Sequence, residues 1–104
     1  MVSRLLRSAE YTLTPNEKVT ASAGTAVALV ASSVIVRGVS IVAKSGNTGQ
    51  VYIGTSSVDN TVNNGLDAGQ GLNMDPGEGF IDLANIYIDS DVTGEGVDLH
   101  YLVR

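Results

Sequence analysis

The sequence predicts an all-β protein, an antiparallel sandwich or barrel of about eight strands behind a short N-terminal arm. Three observations carry this. Between Gly24 and Thr55, β-branched runs are separated by small turn residues. The stretch Val97–Val103 alternates strictly, with Val97, Leu99, Tyr101 and Val103 on one face and Asp98, His100 and Leu102 on the other. No helical pattern follows residue 10.

Residues 1–10 stand apart as an arm, and residues 11–104 form the domain. Val2, Leu5, Leu6 and Ala9 make a one-sided helical stripe, yet an isolated helix below about 12 residues is marginal in water. Tyr11–Thr14 opens the strand region, and Pro15-Asn16-Glu17 reads as a turn. Lys18–Ser22 and Thr25–Ala31 are short strands around Gly24. Val34–Lys44 is the longest β run. A bulge at Arg37-Gly38 would turn Val34, Val36, Val39, Ile41 and Ala43 inward and send Arg37, Ser40 and Lys44 outward. Ser45–Gly49 reads as a hairpin loop, with positive φ tolerated at Gly46 and Asn47. In the next strand Val51 and Ile53 point inward and Tyr52 outward. Residues 54–71, rich in Asn, Asp, Ser, Thr and Gly, read as a long surface excursion. Asp75-Pro76-Gly77 has the chemistry of a type II turn. Phe80–Leu83 and Ile86–Ile88 are strands linked at Ala84-Asn85, and Val97–Val103 closes the domain.

Composition narrows the function. A chain of 104 residues is one domain and buries about two-thirds of its unfolded surface, so its stability is modest. It has no cysteine, hence no disulfide and no thiolate metal site. No apolar run approaches the roughly 20 residues of a membrane span, and Leu5-Leu6 is too short for a signal-peptide core. The expectation is a soluble protein made in the cytoplasm. Formal net charge is −5, unevenly spread. Residues 1–52 carry five Lys/Arg and two Glu, while residues 53–104 carry one Arg and nine acids. A half so acidic repels phosphate, which argues against nucleic acid as a partner.

Catalytic constellations are not predicted. The single histidine, His100, shares the outer face of the last strand with Asp98, the usual setting of a surface pair. Glu78 and Glu95 sit in Gly-flanked turns and read as solvated, unlike the opposed carboxylates of a glycosidase. Asp89-x-Asp91-x-Thr93-Gly94 copies the first half of a calcium loop. The bidentate Glu due at position 12 is replaced by His100, so a plain hairpin loop is expected. There is no phosphate-binding glycine motif. With no Trp, a glycan platform would fall to tyrosines such as Tyr52 and Tyr87. No enzyme, cofactor or metal site is expected.

Gly24–Leu29 (G-T-A-V-A-L), Val36–Ile41 (V-R-G-V-S-I), Asn47–Gly54 (N-T-G-Q-V-Y-I-G), Pro76–Glu78 and Ile86–Asp89 (I-Y-I-D) follow one another in an order that resembles the small capsid decoration, or cement, proteins of tailed bacteriophages. That resemblance implies a β-sandwich or jelly-roll with no catalytic or cofactor residues. It implies a homotrimer bound to the major capsid protein on the outside of the head, stabilising the junctions between capsomers. The arm residues Arg4, Leu5, Leu6 and Arg7 are then the expected grip on the capsid. Apolar Ile35, Val42 and Leu102 on outer strand faces are the expected oligomer interface. The alternative is a receptor- or glycan-binding module of a tail or head fibre, using the 54–71 excursion and exposed tyrosines. Neither reading involves a membrane.

Overall fold

The computed structural model describes residues 12–61 and 64–103, so the arm residues Arg4, Leu5, Leu6 and Arg7 lie outside the described part. Among the described residues nine strands occur in chain order: β1 (Thr12–Val19), β2 (Val27–Ala28), β3 (Ile35–Val36), β4 (Val39–Ala43), β5 (Val51–Gly54), β6 (Gly71–Met74), β7 (Ile81–Asp82), β8 (Tyr87–Ser90) and β9 (Gly96–Val103). A 3-10 turn at Leu83–Asn85 joins β7 to β8, and no α-helix occurs among the described residues. All strand pairs are antiparallel. A four-stranded sheet has the order β1-β9-β4-β6, a three-stranded sheet β2-β8-β5, and β3 pairs with β7 as a small third sheet.

The core lies between the two larger sheets. The first contributes Val39, Ile41, Ala43, Val97, Leu99 and Tyr101, and the second Val51 and Ile88, with Val36, Leu83 and Ile86 filling the side. Ile41, Leu83, Ile88 and Leu99 are fully buried. Each is worth about 1.5–3 kcal/mol of transfer free energy, the main driving force for this fold.

The parity of the long central run is as the sequence predicts. Arg37 donates its N–H to the Leu102 carbonyl at 3.4 Å, and Leu102 donates to Gly38 O at 3.3 Å. Two residues therefore oppose one, which is a bulge. Pairing resumes at Val39↔Tyr101, so Val36, Val39, Ile41 and Ala43 all face the core. The bulge also hands the chain from one sheet to another, since β3 pairs with β7 while β4 pairs with β6 and β9.

Three local expectations are corrected. Pro15-Asn16-Glu17 is no turn; it lies inside β1. Leu102 uses its polar groups on β4, so by antiparallel alternation His100 does too, and Pro15 opposite His100 aims its ring nitrogen at the open edge. An edge strand loses no ladder bond there. Ser45–Gly49 is no hairpin, because β4 and β5 belong to different sheets, and neither Gly46 nor Asn47 has a positive φ. The turn near Pro76 is displaced by one residue. Gly79 donates to Pro76 O at 3.2 Å, which puts Gly77, with φ +69°, at the first central position.

Candidate functional site

Among the described residues seven large apolar side chains are exposed; four gather at one end of the domain, while Val19, Leu72 and Val92 lie outside that group. Leu13 on β1 pairs across from Leu102 on β9, and beyond Leu102 the bulge presents Arg37. Ile35 on β3 and Phe80, just before β7, complete the group. Phe80 is 64% exposed, Leu13 63%, Ile35 51% and Leu102 38%. Two hollows share Arg37 and Leu102 and so make the surface continuous. The smaller, about 220 Å³, lies between Ile35, Val36, Phe80 and Val103. The larger, about 620 Å³, is an open groove bordered by Leu13, Met74, Asp75 and His100.

Arg37 does not leave this face hydrophilic. Its guanidinium lies 5.3 Å from the Phe80 ring centroid and donates from Nη2 to the Gly77 carbonyl at 2.7 Å. The charge is held by ring and carbonyl, while the stem of the side chain adds to the apolar surface. Asp82 fixes the neighbouring backbone. Its carboxylate accepts from Ser33 Oγ at 2.7 Å, Ala84 N at 3.0 Å and Val34 N at 3.2 Å. The Ser33 hydroxyl, followed by the Ala84 N–H, holds the Asp82 carboxyl below its ordinary value. Strands β3 and β7 are thus clamped by one acid.

Of the residues singled out in the sequence, Ile35 and Leu102 meet on this face. Val42 does not; it stands farther along the outer face of the four-stranded sheet, between Asp98 and Gly71, and is half-buried. His100 and Asp98 share that outer face, but Asp98 turns to Lys44 at 2.6 Å, and Glu17 contacts the same ammonium. The hydrogen bonds from Lys44 to Asp98 and then to Glu17 raise the lysine pKa.

The acidic end of β8 and the loop after it are a fastening. Asp89 accepts from Gly24 N at 2.9 Å and Ser90 N at 2.8 Å, Asp91 accepts from Gln50 N at 3.1 Å, and Thr93 Oγ1 accepts from Ala23 N at 3.0 Å. Tyr52, expected outside, is buried on the opposite face of β5 and donates its hydroxyl to Asp91 at 3.0 Å. Burial, with Asp91 adding to it, pushes the phenol pKa up. The chain at Gly65 passes it so closely that an added Cβ would lie 2.7 Å from the Tyr52 ring. Glu95, expected to be solvated, accepts from Thr48 N at 2.8 Å, Thr48 Oγ1 at 2.9 Å and Gly49 N at 3.0 Å. No local pattern announces that clip, because its partners lie 46 and 47 positions away.

These clips set an acid limit. The Gly49 and Thr48 N–H groups hold Glu95 below its ordinary value of 4.5, and the Ser33 hydroxyl holds Asp82 below 3.8. Groups depressed in the folded state let the unfolded chain take up protons first. Their stabilisation is complete above the ordinary values and is lost as pH falls through the folded ones. The thermal midpoint should hold from pH 7 to about 5 and drop steadily below about 4.5. Glu95→Gln and Asp82→Asn should lower the neutral-pH midpoint and flatten that decline, as read by melts across pH.

No helix among the described residues is long and apolar enough to cross a membrane. Comparison of the chain with protein-family models, curated proteins and solved structures gives no match.

Proposed function

We propose that this protein is a virion structural component, a capsid decoration protein that binds the outside of a phage head in sets of three and strengthens capsomer junctions. The observation that carries the reading is the apolar end face of Leu13, Ile35, Phe80 and Leu102, placed where the chain enters β1. It supports protein docking as the main business of the molecule. The sequence resemblance supplies the setting. A packaged head is pushed outward by confined, self-repelling DNA, and a clamp across its seams adds contacts where opening would begin. Three copies joined around a symmetry axis combine weak grips through effective concentration.

In this reading Arg4, Leu5, Leu6 and Arg7 grip the major capsid protein and the end faces of neighbouring copies meet. The fibre-module alternative is weakened by Tyr52, whose ring is enclosed and whose hydroxyl is committed to Asp91.

The test is co-sedimentation with undecorated heads. Full-length protein should pellet with heads to saturation. Protein lacking residues 1–9 should keep its β circular-dichroism spectrum but lose head binding by about tenfold or more, since two leucines contribute roughly 3–6 kcal/mol before ordering costs. Full-length protein left in the supernatant, or truncated protein that still decorates fully, would overturn the reading.

A further inference from the structure

We propose that in the unassembled protein the N-terminal segment, residues 1–11, docks on the end face of its own subunit, seating Leu5 or Leu6 in the hollow between Ile35, Phe80 and Leu102. This goes beyond the capsid reading and does not depend on it, because it concerns the isolated chain.

Placement is the first argument. Thr12 pairs with Val103 and Leu13 with Leu102, so the segment leaves the sheet at the rim of the face it would cover. Reach is the second. Leu6 precedes Leu13 by seven residues, and seven extended residues span up to about 25 Å, enough to cross the face. A helical turn along the way would shorten this without taking the hollow out of range.

Fit is the third. A cavity of about 150 Å³ accepts benzene, and the hollow of about 220 Å³ has room for a leucine side chain. Its walls are the side chains of Ile35, Val36, Phe80, Leu102 and Val103 with the stem of Arg37. Charge does not oppose this, since the Arg37 guanidinium in the wall is taken up by the Phe80 ring and the Gly77 carbonyl. Arg4 and Arg7 flank the Leu5-Leu6 pair, while Asp75 borders the adjoining groove and Glu78 stands in the exposed turn beside it.

The subunit's own segment is favoured over that of a second copy by its tether. A short linker gives a millimolar effective concentration, whereas a second copy at micromolar concentration also loses translational freedom.

The chain has no cysteine, so paired cysteines report the contact cleanly. The double variant Leu6→Cys/Ile35→Cys is oxidised at micromolar concentration beside Leu6→Cys/Asn16→Cys, whose second site is exposed on β1, within the segment's reach but off the end face. The expected result is an intramolecular disulfide in the first variant, running as a monomer on a non-reducing gel, formed about tenfold or more faster than in the second. Equal rates would overturn the proposal by showing no docking. Covalent dimers or larger species would overturn it in favour of a second copy's segment. If Ile35→Cys does not fold, Leu102→Cys, which lines the same hollow, replaces it and is judged by the same outcomes. Failure of head binding leaves this result unaffected, so the two readings are tested separately.

Discussion

Gly96→Ala is expected to unfold the protein. A Cβ at Gly96 would lie 2.0 Å from the Lys18 carbonyl oxygen, 2.6 Å from Val19 Cα and 2.9 Å from Lys18 C. All three are backbone atoms, so no side-chain rotation relieves the overlap. Gly96 faces Val19 where β1 and β9 begin to pair, and its carbonyl also accepts from Lys44 N and Asn47 Nδ2. Relief requires β1 to peel away or the β4–β5 connection to shift. The cost should be about 4 kcal/mol or more, a large share of the stability of a domain this size. Loss of the β circular-dichroism signal, or a sharply lower urea midpoint, would register it. Gly46→Ala is the comparator, since nothing lies within 4 Å of its added methyl and its φ is not positive. A normal midpoint for Gly96→Ala would mean that β1 does not sit against β9 as described.

Leu99→Ala carries the second large effect. Leu99 is fully buried at the centre of β9, opposite Asn16 on one side and Ile41 on the other. Removing its side chain loses transfer free energy and leaves a void that neighbouring strands cannot close, typically 2–5 kcal/mol. For a chain of about a hundred residues each kcal/mol moves the melt by about 4–8 °C, so a fall of more than 10 °C is expected. His100→Ala, one position along and exposed, should change stability by no more than about 0.5 kcal/mol. The contrast tests the face assignment of β9, and similar losses from both variants would contradict it.

That alternation is the most legible feature of the sequence, because from Val97 onward β9 has one buried face and one exposed face and keeps a period of two. The bulge at Arg37-Gly38 is legible for a related reason. Only an extra residue keeps both valines and the following isoleucine on the same side. Features that depend on sheet order are not legible. Pro15 signals a turn unless β1 is known to be an edge. Tyr52 reads as outward because alternation marks the face it points to, and nothing local says that the backbone at Gly65 returns to cover it. The end face assembles residues 13, 35, 80 and 102, which only strand pairing brings together.

The pairing of Thr12 with Val103 has a mechanical consequence. β1 and β9 are adjacent and antiparallel, and the chain enters one and leaves the other at the same end of the sheet. Tension between these two points acts across the ladder, along the direction of its hydrogen bonds. It therefore opens the strands like a zipper, one bonded pair after another, and never loads all eight register positions together. A strand pulled lengthwise would share the force among them. A pull delivered through the N-terminal segment accordingly meets the weakest geometry the sheet offers. Compression spread over the end face meets a packed core instead. The domain is thus built to withstand compression far better than tension between its two ends.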